Sequence, residues 1–509
     1  MKKTFLIGNK ALCLFIFVFI LAGMIFAGGG SQSGGSGQVT ELHGLLRAGQ
    51  GNLGDIESNP TLAFINQATG IRLIADQVPV DNPNEKLNAV LASGGGGYDF
   101  ICVSSLERYA FYATSGALFD MGAVWKDYPN LQSTLQSSID LVTVNNTWYC
   151  VPNFSPSSAP NSSTAAAQLM WRSDILAKMG KELPTTLDEF TALLQYYKDT
   201  DPMGNGAANV PLVGDLQGMR MNGVGGAFGV ELNWKDQGGT LIPYQTQTGF
   251  FEYINYMHDL YVRGLLDRET PTNTYATMNQ KFTTDRALVI TRGWGDVIAL
   301  VSTFGINDAR EKMAFSQPLE RNGMVGLRAA PKGLLDYVAV IPRSSRNWQV
   351  TMEYFNKKMD PVIFKEMTIG QEGRDWSIDA QGVMHAILPT FDINRTTANQ
   401  YLTGTRPEYN TYWLQCRVGK NMDQYWAYQL SNSDFVKFIT IDVVEAIPSI
   451  YYKDINVPLT NTNNMTNEFL INAVVNGITR ADFDRFGAEW RAQGGDELSR
   501  IYNGWYKSR

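Results

Sequence analysis

Residue types able to do chemistry are sparse and scattered in this chain. It holds three histidines, His43, His258 and His385, each isolated from the others. No His-Glu-x-x-His run and no paired Cys/His spacing offers a zinc site. No Gly-x-Ser-x-Gly turn presents a nucleophile. Gly94-Gly95-Gly96-Gly97 lacks a following Lys-Ser/Thr and precedes a strand, so it reads as a loose turn and not a phosphate loop. Paired carboxylates for glycoside cleavage can lie far apart in sequence, and no particular pair stands out. Aromatic side chains are the richer resource: 12% of the residues, with 11 Trp. Most of these must fill cores, Trp490 among them. Trp294 in Arg-Gly-Trp-Gly-Asp, Trp376 in Arg-Asp-Trp-Ser and Trp413 in Thr-Tyr-Trp fall instead at strand ends or in polar turns. Sugar rings present flat C–H faces edged with hydroxyls. Trp and Tyr suit the faces, and Asp, Asn, Arg and Ser suit the edges.

The elements that must position these residues alternate. Val39 to Arg47 reads as a strand, Thr61 to Gly70 as a helix ending at a glycine, and Tyr98 to Val103 as a strand closing at Ser104-Ser105. Leu288-Val289-Ile290 runs into Thr291-Arg292-Gly293-Trp294, and Tyr337 to Ile341 runs into Pro342, repeating the strand-then-turn plan. The last hundred residues read as mostly helix. This alternation predicts α/β layers with mainly parallel strand pairing. Length suggests two or three domains, and no repeat of solenoid period is present.

The most distinctive stretch runs from Trp171 to Leu212. Thr186 and Glu189 form a capping box, and Leu187, Phe190, Leu193, Leu194 and Tyr197 make one apolar helical stripe. The helix stops at Asp199-Thr200-Asp201-Pro202-Met203-Gly204-Asn205-Gly206. Trp171, Asp174, Leu176, Lys178, Gly180-Lys181, Pro184-Thr185-Thr186 and Asp188-Glu189-Phe190, followed by that loop, resemble a run in the extracellular solute-binding proteins of carbohydrate ABC importers (family 1), in their long oligosaccharide-binding branch. Gly370-Gln371-Glu372-Gly373-Arg374-Asp375-Trp376, the segment Lys86–Gly94 before Tyr98-Asp99-Phe100, and the C-terminal stretch from Phe486 to Tyr506 are similar to further family segments in the expected order.

The resemblance implies a two-lobed type II periplasmic-binding architecture with an interlobe cleft. Lobe 1 is placed at 39–149 plus 340–389, and lobe 2 at 150–339 plus 390–509. It implies capture of an oligosaccharide and delivery to membrane permease subunits, with no covalent chemistry. An exported carbohydrate-active enzyme is the alternative, and a sugar-sensing binding protein a further one. Candidate ligand-binding residues are Ser104, Ser105, Asn153, Arg292, Trp294, Asp375, Trp376 and Trp413. In some family members the loop after the capped helix holds Ca²⁺; here Asp199, Asp201, Asn205 and Asn209 are the candidate ligands. Calcium wants six to eight oxygens, and Met203 and Val210 remove two. A metal-free capped turn is therefore expected and no cofactor, with calcium as the alternative.

Lys2 and Lys3, the apolar run Ala11–Ala27 and the Gly/Ser tract from Gly28 predict an export signal at 1–27 followed by a flexible tether at 28–38. An uncleaved anchor is the rival reading. No Cys lies between Met24 and Gln38, and Cys13 sits inside the apolar run, so a lipid-attachment site is not evident. A soluble extracytoplasmic (periplasmic) monomer is expected. The net charge is −7, and losing Lys2, Lys3 and Lys10 with the signal lowers it by three, to −10. That balance argues against nucleic acid as a partner. Cys102, Cys150 and Cys416 allow at most one disulfide.

Overall fold

The computed structural model describes residues 40–47, 58–79, 83–134, 139–156, 168–214, 222–230, 234–329 and 334–509. The expected signal and tether lie outside the described residues. Among the described residues, no helix is long and apolar enough to cross a membrane.

Two sheets organise the chain. Their strands are β1 (Thr40–Leu46), β2 (Ile71–Gln77), β3 (Phe100–Val103), β4 (Cys150–Phe154), β5 (Gln168–Arg172), β6 (Val210–Val213), β7 (Ala287–Arg292), β8 (Met313–Phe315) and β9 (Leu335–Val340). The first sheet runs β2-β1-β3-β9-β4 and the second β8-β5-β7-β6. In the first, β1 pairs parallel with β2 and β3, whereas β9 lies antiparallel between β3 and β4. A late strand inserted antiparallel after a long excursion through the other lobe is the mark of the type II binding-protein fold. The second sheet pairs β6 with β7 in parallel, but β5 antiparallel to both β7 and β8. Pairing is thus mixed, not mainly parallel as expected, because strands that return across the lobe junction enter from the opposite end.

Those returns also correct the lobe boundaries. The sequence expectation puts β4 and most of β9 in lobe 2, whereas β9 is interior to the first sheet and β4 forms its edge. Tyr401, Leu402 and Tyr409, also placed in lobe 2, pack into the first core. Composition carries no trace of a crossover, since strands on either side are equally apolar.

Local rules account for the elements themselves. Gly70 caps its helix in the left-handed region at φ 69°, the conformation that favours glycine. Thr186 and Glu189 form the expected reciprocal capping box, and the stripe from Leu187 to Tyr197 is buried. Gly44 in β1 is required by packing: a Cβ there would lie 2.3 Å from the Phe100 ring. Around the second sheet the core adds the C-terminal helices Arg480–Trp490 and Asp496–Tyr506. The long helix Tyr452–Asn476 contacts both Thr248–Val262 and Leu106–Thr114, tying the lobes together. Leu327–Ala329 and Ile439–Ile441 form a short parallel strand pair outside the two main sheets.

Cys102, Cys150 and Cys416 are buried free thiols. β9 separates β3 from β4, and two strand spacings amount to about 10 Å, beyond the reach of a disulfide between Cys102 and Cys150. Burial pushes the Cys102 thiol up to about 11, so it behaves as a small apolar residue.

Candidate functional site

Trp294 stands just past β7, whose residues Ala287 to Ile290 are fully buried. The strand ends where Gly293 N–H donates to Asp296 Oδ2 at 2.8 Å, closing a 3-10 turn over Trp294–Asp296. The helix Val297–Phe304 then leads away. The indole is left partly buried, and it meets two other rings edge-on. Trp294–Trp413, Trp294–Tyr428 and Trp413–Tyr428 have centroids 5.6, 5.2 and 5.4 Å apart at 81°, 86° and 75°. Such edge-to-face pairs favour each other by about 0.5–1.5 kcal/mol beyond area burial. Trp294 packs against the core of the second lobe and Trp413 against that of the first. The aromatic trio therefore sits where the two lobes meet.

Trp413 opens the π-helical segment Trp413–Val418, and Tyr428 lies on the helix Met422–Gln429. Tyr428, which was not among the expected residues, is only 4% exposed, so it buttresses the two indoles and does not itself face a ligand. It sits in the aromatic run Tyr425-Trp426-Ala427-Tyr428, and helical spacing alone cannot say which ring faces Trp294. Tyr275 was also missed. It is 49% exposed, and its hydroxyl donates to Asp296 Oδ1 at 2.7 Å, placing a polar-edged ring beside the Trp294 turn.

The other candidates divide sharply. Ser104 is exposed at the end of β3, and Ser105 caps the next helix by accepting from Arg108 N–H. Strand ends of this kind border the ligand crevice in α/β folds. Arg292 is only 6% exposed. Its guanidinium donates to Asn279 Oδ1 and the Tyr275 and Thr291 carbonyls, and lies 4.4 Å from the Tyr275 ring centroid. It positions the Trp294 turn instead of reaching a ligand. Asn153 is buried too, donating to Tyr337 Oη at 2.7 Å, while Tyr337 donates to the Leu402 carbonyl.

Asp375 and Trp376 are corrected outright. Trp376 is 3% exposed, donates from Nε1 to the Gly370 carbonyl at 3.0 Å, and belongs to a small separate core with Ile369, Phe391 and Cys416. Asp375 accepts from Gln371 N–H, Asn394 Nδ2 and Arg374. Burial alone would raise its pKa, but these donors hold it below the ordinary carboxylate value. Gly370, at φ 81°, admits no Cβ, which would lie 2.1 Å from Asp375 Oδ2. The polar sequence of this turn reflects its internal bonding, not exposure.

The donor set of the loop after the capped helix fits calcium poorly. Asp201 accepts from the N–H groups of Asn205 and Gly206 at 2.9 and 2.7 Å and from Asn209 Nδ2 at 3.0 Å, which satisfies both of its oxygens within the loop. The Gly206 amide, first among these donors, lowers its pKa. Asn205 Nδ2 reaches the Asp285 carbonyl, and Asp199 accepts from Gln195. Lys178 Nζ donates to the Pro202 carbonyl at 2.7 Å and lies 3.7 Å from Met203 Sδ, so an ammonium already rests on the loop. Within this loop, Asn209 Oδ1 is buried without a partner among the described residues. Among the described residues, no three His, Cys, Asp or Glu side chains cluster as a metal site.

The chain is similar to several known proteins and solved structures. No family profile matches it. The polygalacturonan/rhamnogalacturonan-binding protein YtcQ of Bacillus subtilis is 20% identical over 524 residues, covering 98% of this chain and 99% of YtcQ. Lipoprotein LipO of the same organism is 23% identical over 338 residues, covering 63% of this chain and 65% of LipO. Among solved structures, the S. pneumoniae ABC-transporter substrate-binding protein FusA, an EF-hand mutant in complex with fructo-nystose, aligns over 92% of this chain and 99% of FusA. Its TM-score is 0.74 at 18% identity. The chain has the two-lobed fold of these solute-binding proteins.

Proposed function

We propose that this protein is the extracytoplasmic solute-binding component of a carbohydrate ABC importer, of solute-binding family 1. It captures an oligosaccharide between its lobes and presents the closed form to a membrane permease. The observation that carries this reading is the pair Trp294 and Trp413, each packed against the core of a different lobe, meeting edge-on and buttressed by buried Tyr428. A ligand stacked there touches both lobes and so favours the closed state over the open one. The sugar-binding names of YtcQ and FusA support the same class of ligand. Export follows from the N-terminal sequence, and membrane tethering would parallel LipO, although no Cys lies between Met24 and Gln38 to carry a lipid.

Fructo- and galacturono-oligosaccharides are the first probes. Each binder should raise the unfolding temperature without releasing reducing ends; reducing-end release from a pure sample would instead mark a hydrolase. Trp294→Ala should weaken binding by about 1–3 kcal/mol, the range for a base stacked on an aromatic ring. Calorimetric titration reads that loss directly. Normal affinity with a much lower melting point would make Trp294 a core residue and move the ligand elsewhere.

The loop at Asp201 functions in this reading as a metal-free turn, with its own amides and Lys178 supplying the positive charge. Treatment with EDTA should leave the unfolding temperature unchanged. A drop that added Ca²⁺ restores would overturn it.

A further inference from the structure

One ion pair lies at the end of the first sheet where β1 and β3 finish, the edge that borders the crevice in α/β folds. Arg47 directly follows β1, and Asp336 is the second residue of β9. Their side chains pair with each other and keep 23% and 40% of their surface exposed. β9 runs antiparallel to β3, with Val338 opposite Val103, so its first residues arrive beside exposed Ser104. Asp336 is set apart from the ladder by a bulge. Leu335 faces Phe154 and Tyr337 faces Asn153, two steps on β9 against one on β4, which leaves Asp336 as the extra residue. Bulges re-aim a side chain and recur beside functional sites. Behind the pair, the Arg47 guanidinium lies 4.9 Å from the centroid of the buried Tyr337 ring, so an aromatic face backs the head group.

The pair also neighbours the aromatic site. Tyr409 packs in the first core. Burial raises its pKa, with Arg47 lowering and Asp336 raising it by smaller amounts, so both charges reach that phenol. Trp413 follows Tyr409 by four residues along one continuous helical stretch, Tyr409–Tyr412 running into Trp413–Val418. That spacing puts the indole one turn away on the same face.

We infer that Arg47 and Asp336 contact the ligand of the oligosaccharide site, and that they select a neutral sugar, held by two adjacent hydroxyls, over a uronate. This inference rests on the proposed function. A guanidinium beside a carboxylate presents a donor next to an acceptor. One hydroxyl accepts from Arg47 while its neighbour donates to Asp336, and the C–H face of the ring lies on the Trp413 indole. Charge at the two strand ends is already balanced: Arg47 and Arg292 stand against Asp336 and Asp296. Arg292 is buried on Asn279 and backbone carbonyls, and Arg47 is paired. A uronate carboxylate would have to displace Asp336 and would still face its charge.

The test begins with full-length protein on an array of neutral (fructan, mannan, glucan) and uronic (polygalacturonan, alginate) oligosaccharides. A bound glycan is then titrated calorimetrically against wild type, Asp336→Asn, Arg47→Gln and Trp294→Ala. The tightly bound members should all be neutral. Asp336→Asn should weaken binding about ten- to a hundredfold, the worth of a hydrogen bond to a charged group, with the unliganded melting temperature unchanged. Arg47→Gln provides the same reading if the first variant misfolds. Uronic members bound as tightly as neutral ones overturn the inference. So does undiminished affinity in both variants, and a loss in Trp294→Ala alongside it would leave the proposed function standing. A wild-type protein that binds no glycan overturns both.

Discussion

Lys281→Met is expected to destabilise the protein by about 3–5 kcal/mol, the cost of stranding a buried charge. The ammonium is 4% exposed and bonds Asp267 Oδ2 at 2.5 Å, Glu269 Oε2 at 2.7 Å and Asn273 Oδ1 at 2.9 Å. Asp267 is only 5% exposed, so without Lys281 its carboxylate keeps the neutral donors Asn273 Nδ2 and Glu269 N–H but no counter-charge. The consequence reaches the site. Lys281 lies on the helix Tyr275–Thr283, whose Asn279 holds Arg292, two residues before Trp294. Urea unfolding measures the loss, and Lys281→Met with Asp267→Leu should recover much of it, because no buried charge then stands alone. A single-variant loss below about 1 kcal/mol, typical of an exposed pair, would show that Asp267 is adequately solvated.

The second expectation concerns pH. Lys358 is fully buried in the first lobe, donates to the Tyr401 carbonyl, and lies 4.9 Å from the Tyr354 ring centroid. Burial lowers its pKa from 10.5 to about 7, with Cys102 opposing slightly. Below the folded value, the lysine is protonated in both states, and the cost of burying the charge is felt in full. Between about 7 and 10.5 the unfolded chain alone binds the proton, so this group makes the fold more stable as pH rises. The slope is about 1.4 kcal/mol per pH unit. Lys358→Met removes it. Unfolding free energies of wild type and variant from pH 6.5 to 9 should therefore converge, the variant's advantage shrinking as pH climbs. Parallel curves would mean that Lys358 keeps an ordinary pKa through water or local opening.

Local features were legible because they depend on near neighbours in the chain. The capping box at Thr186 and Glu189, the buried stripe to Tyr197, the left-handed stop at Gly70 and the strands preceding Ser104 and Trp294 all sit within a residue or two of where spacing puts them. Trp294 and Trp413 stand out in sequence for a similar reason: each lies at a local break in pattern. Trp376 was misread because its polar neighbours, Arg374 and Asp375, bond one another and the Gly370 turn, which looks the same in sequence as a turn open to ligand.

The sequence alone determined the alternating α/β layers and, through wording spread along the chain, the resemblance to sugar-binding proteins. Tertiary structure decided the rest. It put β9 antiparallel between β3 and β4, moved β4 across the expected boundary, committed Arg292 and Asn153 to internal bonds, and brought Tyr428 to Trp294 and Trp413. The physical reason is the same in each case. Periodicity and caps report interactions within a turn or two of the chain, whereas burial, strand insertion and ring contacts depend on which distant segments meet.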